Sequence, residues 1–248
     1  MSQQNLSQDE VDALLQGMTG DVPVAETEGV RPPKGTVREY NLASEDRIVR
    51  GRMPMLEVIN ERFSRNVMPA LTEFAQRNLE ISVGEVKVQK YSAFLRETMV
   101  PTNFNVVSMR PLRGSALFVC DPTLIFAFID ALFGGVGKFP ARIEGREFSG
   151  TEQRVIMRMV EILLREYNKA WQGIYPLELT YQRSEMQPQF VNIAAAGDVV
   201  VSTVFTIEIG ESVGSVRVCI PYANVEPIRD VLRSNNQGEA PGADKRWI

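Results

Sequence analysis

Few residues in this chain could carry acid–base or nucleophilic chemistry. Histidine is absent, which removes Ser-His-Asp and Cys-His arrangements, every His-containing zinc set and the usual general base near neutral pH. Carboxylate and lysine chemistry remain. Two cysteines, Cys120 and Cys219, argue against a disulfide framework and read as small buried residues. The glycine-rich run Gly134-Gly135-Val136-Gly137 invites a phosphate-binding reading but fits it poorly. Pro140 stands where the third glycine of a dinucleotide fingerprint belongs, the run follows a helical pattern rather than a strand, and Lys138 is followed by Phe139 rather than Ser or Thr. Two readings of the run stay open: a helix C-cap with a tight turn after Phe133, or a loop whose missing Cβ atoms let another protein's backbone approach closely. Phe133, Lys138 and Phe139 would give such a contact area and charge. No metal and no cofactor is expected.

The elements that must position these residues are legible in outline. At 248 residues, 44% apolar and 23% charged, the chain can bury one or two cores. No uncharged apolar run is long enough for a membrane span, and no basic leader precedes an apolar core, so cytosolic residence is expected. Residues 1–30 hold six acids and no Lys or Arg. The rest is close to neutral, which excludes a nucleic-acid binder's basic face.

Residues 1–16 read as a peptide unit, and Leu6–Gly17, LSQDEVDALLQG, as a short helix with every start and stop signal. Ser7 caps it, Glu10 completes a capping box, Leu6 and Val11 make a hydrophobic staple, and Gly17 ends it. Val11, Leu14 and Leu15 form a narrow apolar stripe. A helix this short is marginal alone. Residues 17–44 read as a flexible Gly/Pro/acid-rich linker. A long helical region is expected from about Ser44 to Arg77, kinked or broken by Pro54 and Pro69. Strands are expected at Val83–Tyr91, Asn103–Met109 and Ser115–Cys120. A second long helix should start at Ser149, where Ser149 and Glu152 again form a capping box, with strands near Leu177–Arg183, Val199–Ile209 and Ser215–Ile220.

The second half repeats the first. Arg113–Phe133 and Val213–Arg233 each hold Gly-Ser, a strand ending in Val-Cys-x-Pro, and a helix with Asp-x-Leu. Gly114 pairs with Gly214, Cys120 with Cys219, Pro122 with Pro221, Asp130 with Asp230 and Leu132 with Leu232. Each copy lies downstream of a long helix and a strand bearing Tyr91 or Tyr181. The expected fold is therefore α/β (α+β): duplicated helix–strands–helix units related by a pseudo-two-fold, in one sheet flanked by helices over residues 45–232. Residues 233–248 read as a polar tether leading toward a further domain.

LSQDEVDALL (Leu6–Leu15), ALFGGVGKFP (Ala131–Pro140) and EGREFSGTEQRVI (Glu144–Ile156) resemble the FliM family of flagellar motor switch proteins. VPTNFNVVSMRPLRG (Val100–Gly114) and RSEMQPQFVNI (Arg183–Ile193) are similar to that family's middle domain. The resemblance implies a non-enzymatic rotor component of the flagellar C ring, peripheral on the cytoplasmic face of the inner membrane at the basal body. It implies that the N-terminal peptide, through Leu6, Ser7, Glu10, Val11, Leu14 and Leu15, captures phosphorylated CheY. It further implies that the loop at Phe133, Gly134, Gly135, Gly137, Lys138 and Phe139 contacts FliG, with neighbouring copies standing side by side. FliN would be met through the family's C-terminal FliN-like domain, expected beyond the tether.

The alternative is an enzyme of the same fold, a CheC-type phosphatase acting on phosphorylated CheY. Such enzymes carry an acid or Ser, then Glu four residues on and Asn three after that, on each long helix. Glu57 and Asn60 keep that spacing here, but Met53 takes the first place, and in the second copy Asn168 has Arg165 where the glutamate belongs. Without the full set the amide cannot orient a water, so Glu57 and Asn60 read as a solvated helix face or part of a subunit contact.

Overall fold

A computed structural model of the protein describes residues 53–98, 102–135 and 148–234. The readings of the N-terminal peptide, the linker, the onset of the first helix, Gly137–Phe139 and the tether past Ser234 lie outside these residues. Helix α1, Pro54–Ala75, starts with Pro54 at its first position, where the missing N–H costs nothing. It runs unbroken through Pro69. The stripe Leu56, Ile59, Phe63, Val67 and Leu71 stays buried on both sides of that proline. Pro69 itself is exposed, so the turn that loses a hydrogen bond is on the water side.

Strand β1 (Leu79–Val83) and strand β2 (Lys87–Lys90) follow, then helix α2 (Tyr91–Arg96). Strand β3 (Asn103–Arg110), strand β4 (Ser115–Cys120) and helix α3 (Pro122–Leu132) complete the first half. The second half is helix α4 (Gly150–Gln172), strands β5 (Glu178–Glu185), β6 (Val199–Ile209) and β7 (Ser212–Pro221), and short helices α5 (Tyr222–Val225) and α6 (Arg229–Arg233). The expected box on α4 is formed: Ser149 N–H donates to Glu152 Oε2 at 2.7 Å, and Glu152 N–H to Ser149 Oγ at 3.4 Å.

One expected strand, Val83–Tyr91, takes another form. Strand β1 already begins at Leu79, and three residues, 84–86, stand opposite only two of β6, Thr203 and Val204, before β2 resumes the pairing. The extra residue interrupts the ladder as a bulge does. Tyr91 opens α2 rather than ending a strand, because its ring is buried and its hydroxyl donates to the Val191 carbonyl. The supposed equivalence of Tyr91 with Tyr181 falls with it.

The strands form one antiparallel sheet in the order β1-β6-β7-β4-β3-β5, with β2 also on β6. The order is palindromic once β1 with β2 is matched to β5, β3 to β6 and β4 to β7, so the duplicated architecture holds with its axis between β4 and β7. The correct offset is the one that pairs Gly114 with Gly214 and Leu132 with Leu232. It also aligns the helix starts at Pro122 and Tyr222.

The cysteine match is one residue out of step. Cys120 packs in the large core and Cys219 in a smaller cluster with Tyr91, Phe94 and Phe104. A one-residue slip sends a strand side chain to the other face. Both are buried and free, as expected.

The large core lies between one face of the sheet and α1, α3 and α4. Phe63 meets Tyr167 and Phe205 edge to face, with centroids 5.0 and 4.9 Å apart.

Candidate functional site

The end of α3 is built by its own sequence. Asp121 caps the start, its side chain accepting from Thr123 N–H at 2.8 Å, and Pro122 fills the first helical position. At the other end Gly134 has φ +82°. Its N–H donates to the Ala131 carbonyl at 3.1 Å, and the Gly135 N–H to the Asp130 carbonyl at 2.8 Å. These two bonds are the Schellman pattern, with Gly134 as the left-handed residue that L side chains resist. The reading of Gly134 as a helix terminator therefore holds. At Gly135 a Cβ would lie 2.0 Å from Asp130 Oδ1, an overlap that the carboxylate relieves by rotating away.

Terminating the helix here leaves apolar surface in water. Phe133 is 73% exposed and Leu132 38%. A Phe side chain so exposed, beside a turn that presents backbone, offers contact rather than catalysis. Arg77, two residues past the end of α1, donates from Nη2 to the Gly135 carbonyl at 2.6 Å. Arg77, Asp130 and Gly135 share a small crevice with Gly210 and Ser212 of the β6–β7 hairpin. The ends of α1 and α3 and that hairpin thus converge on the loop. The strands of the hairpin were legible in the sequence, but the convergence of Arg77 and the hairpin on this loop was not, since nothing in local spacing connects residues so far apart in the chain.

The residues weighed for phosphatase chemistry are not assembled into a site. Glu57 is exposed, but Asn60 is 1% exposed. The Asn60 amide donates to Thr203 Oγ1 at 2.9 Å and accepts from the Tyr167 hydroxyl at 3.5 Å. Asn60 thus ties α1 to β6 inside the core, correcting the expectation of a solvated face or subunit contact. Asn168 is committed too. It donates to the Leu179 carbonyl at 3.1 Å and accepts the Leu179 N–H at 2.7 Å, fastening α4 to β5. Met53 is buried, and Arg165 donates to Glu166 at 2.9 Å.

Perturbed ionisation is likewise structural. Burial pushes the Cys120 thiol up to about 12, with Asp121 adding to it, and burial pushes the Cys219 thiol up as well. Burial opposes charge on Glu166, but hydrogen bonds from Lys169 and Arg165 outweigh it and hold the carboxyl below its usual range. Among the described residues, no group of three or more His, Cys, Asp or Glu could hold a metal ion. No helix among them is long and apolar enough to cross a membrane.

The molecule is a pseudo-two-fold α/β domain whose Asn60 and Asn168 amides are spent on packing and whose α3 turn leaves Phe133 exposed. A family model described as Flagellar motor switch protein FliM matches residues 49–237, and the chain belongs to that family. It is 43% identical over 98% of its length to FliM of Escherichia coli K12, covering 72% of that relative. The crystal structure of the FliM middle domain from Vibrio alginolyticus superposes with a TM-score of 0.66 at 35% identity, over 72% of this chain and 99% of that one. A FliG–FliM complex from H. pylori gives a TM-score of 0.67 at 27% identity, over 71% of this chain and 96% of that one. Membership makes the chain a component of the flagellar motor switch.

Proposed function

We propose that this motor switch component stands in the C ring at the cytoplasmic face of the inner membrane, docks FliG through the loop that follows α3, and captures phosphorylated CheY with its N-terminal peptide to bias the sense of rotation. The observation that carries the FliG contact is the exposed Phe133 beside the Gly134–Gly135 turn. A FliM of H. pylori forms a complex with FliG, which supports the same partner here. Gly137, Lys138 and Phe139 extend the contact in this reading, and copies of the chain stand side by side. FliN is met by the family's FliN-like domain rather than by residues 53–234. A short capped helix on a linker suits capture of CheY because it is ordered on binding, with Leu6, Ser7, Glu10, Val11, Leu14 and Leu15 in the contact.

The phosphatase alternative is not favoured, because the Asn60 amide lies in the core bonded to Thr203. Two titrations test the proposal. Phe133→Ala and Lys138→Glu should weaken FliG binding while leaving the melting point unchanged, with the charge change acting mainly on association rate and salt dependence. Removal of residues 1–16 should abolish the preference for phosphorylated over unphosphorylated CheY. Wild-type FliG affinity in both variants would refute the docking loop, and an unchanged CheY preference would refute the peptide's role.

A further inference from the structure

We propose that Arg77 is a positioning residue for the Phe133–Gly135 loop, tying the end of α1 to the surface that meets the partner; this rests on the docking reading given above. Three observations carry it. First, the Arg77 guanidinium donates to the Gly135 carbonyl at 2.6 Å, and Gly135 lies just past the Schellman turn, where no helix bond can hold its carbonyl. Second, α3 has no basic residue in its last turn, so the cation that would complement its C-terminal dipole has to come from elsewhere in the fold. Arg77 brings it from 58 residues away in sequence. Third, the chain is bent to deliver it: Gln76, the C-cap of α1, is the one non-glycine with positive φ among the described residues, at 52°. Backbone in that region persists where the surroundings hold it. Here Gln76 Nε2 bonds back to the Glu73 carbonyl at 2.6 Å.

The consequence is mechanical. Phe133 is held by the helix bond from its N–H to the Ile129 carbonyl at 3.1 Å, and the Schellman bonds fix the N–H groups of Gly134 and Gly135, so the Gly135 carbonyl is the part of the turn that these bonds leave unheld. A clamp on the Gly135 carbonyl holds the loop in one shape before the partner arrives, which lowers the ordering cost of binding. Because the clamp springs from the α1 terminus, a shift of α1 relative to α3 reaches the turn backbone through this charged hydrogen bond, alongside the direct packing of Phe74 on Phe128.

The test uses the 248-residue chain with Arg77→Ala, Arg77→Lys and Phe133→Ala, read in two ways. Backbone NMR of the free proteins reports the Gly134 and Gly135 amides; titration with FliG reports affinity. The expected result for Arg77→Ala is displaced Gly134 and Gly135 resonances, a melting point within a degree or two of wild type, and a Kd raised about 5–10-fold, the scale of losing one charged hydrogen bond and the order it imposes. Arg77→Lys should recover part of both effects, because a single donor suffices for one carbonyl. Unmoved glycine resonances in Arg77→Ala overturn the positioning role whatever the affinity, since a direct contact to FliG would lower binding without touching the free loop. Moved resonances with wild-type affinity overturn it as well, provided Phe133→Ala has lost binding. Should Phe133→Ala bind like wild type, the docking reading itself fails, and the glycine resonances alone decide whether Arg77 holds the loop.

Discussion

Gly214→Ala should unfold this domain far more easily than its size suggests. A methyl at Gly214 would sit 2.6 Å from Leu124 Cβ and 2.7 Å from both Leu124 Cα and Leu124 N. Two of those atoms are backbone of α3, so no rotamer change relieves the overlap. The helix must retreat by about 1 Å to restore ordinary carbon contacts of about 3.5–4 Å. Leu124, Ile125 and Phe128 are all buried beneath it, and their contacts would loosen together. Overpacking typically costs about 1–3 kcal/mol, and a backbone obstruction belongs at the upper end. At roughly 2–4 °C per kcal/mol for a domain of this size, the melting point should fall by about 6–12 °C. Gly150→Ala is the control. Gly150 is the first residue of α4, its φ is ordinary and nothing lies within 4 Å of a Cβ there. That change should raise stability by about 0.5 kcal/mol, by restricting the unfolded chain. Thermal unfolding of both variants, followed by circular dichroism, decides the matter. A Gly214→Ala protein that melts with wild type, or a Gly150→Ala protein that falls equally far, would refute the collision.

Gly134→Ala should cost about 1 kcal/mol through its positive φ alone, and Gly134→Asn about half as much, measured by denaturant unfolding. Asn60→Ala should destabilise by about 2 kcal/mol, because Thr203 and Tyr167 lose their shared partner, and should leave the rate of phosphate loss from CheY unchanged; a slowed loss would revive the phosphatase reading. Glu166 has a lowered pKa in the fold, so its ionised form contributes stability that is present above the ordinary Glu range and lost as pH falls through the lowered value. In Glu166→Gln, unfolding curves taken across the acid range should show a shallower decline of stability with falling pH than wild type.

What could be read from the sequence was whatever is fixed locally. Ser149 and Glu152 lie within one turn, so their box is visible as a spacing. The apolar runs of β4, β6 and β7 and the 3.6-residue stripe of α4 are equally local. The glycine repeat was visible as well, although its cause was not. Gly214 lies under Leu124 of the first copy's helix, and Gly114 under Asn224 of the second copy's. Gly214 thus keeps space for the backbone of the other copy's helix, whereas Gly114 faces the Asn224 side-chain amide and has φ +96° besides. The errors arose where a distant partner decides. Tyr91 turns into a helix because its hydroxyl finds the Val191 carbonyl. Asn60 is drawn inside by Thr203. The matched cysteines misled because a one-residue misalignment is small in sequence and a change of face in a sheet. At the candidate site the terminating glycine was legible, whereas Arg77 was not.

The two-fold also shows where the copies diverge. Near the axis the halves obey the same constraints: reciprocal glycines, matched helix starts and one ladder between β4 and β7. Farther out they part. Helix α3 runs 11 residues without interruption. Its counterpart is divided into α5, a 3-10 turn containing Pro227, and α6. The division lets Leu232 turn into the core at 0% exposure, while its partner Leu132 remains 38% exposed. The next position is Phe133 in one copy, 73% exposed, and Arg233 in the other. If stability alone governed these ends, the first copy could bury its leucine as the second does. It instead holds an uninterrupted helix, a left-handed glycine and an exposed aromatic in place, with Arg77 clamping the turn. Such an arrangement leaves apolar area in water at a cost to the isolated domain, a cost that the proposed contact with FliG would offset.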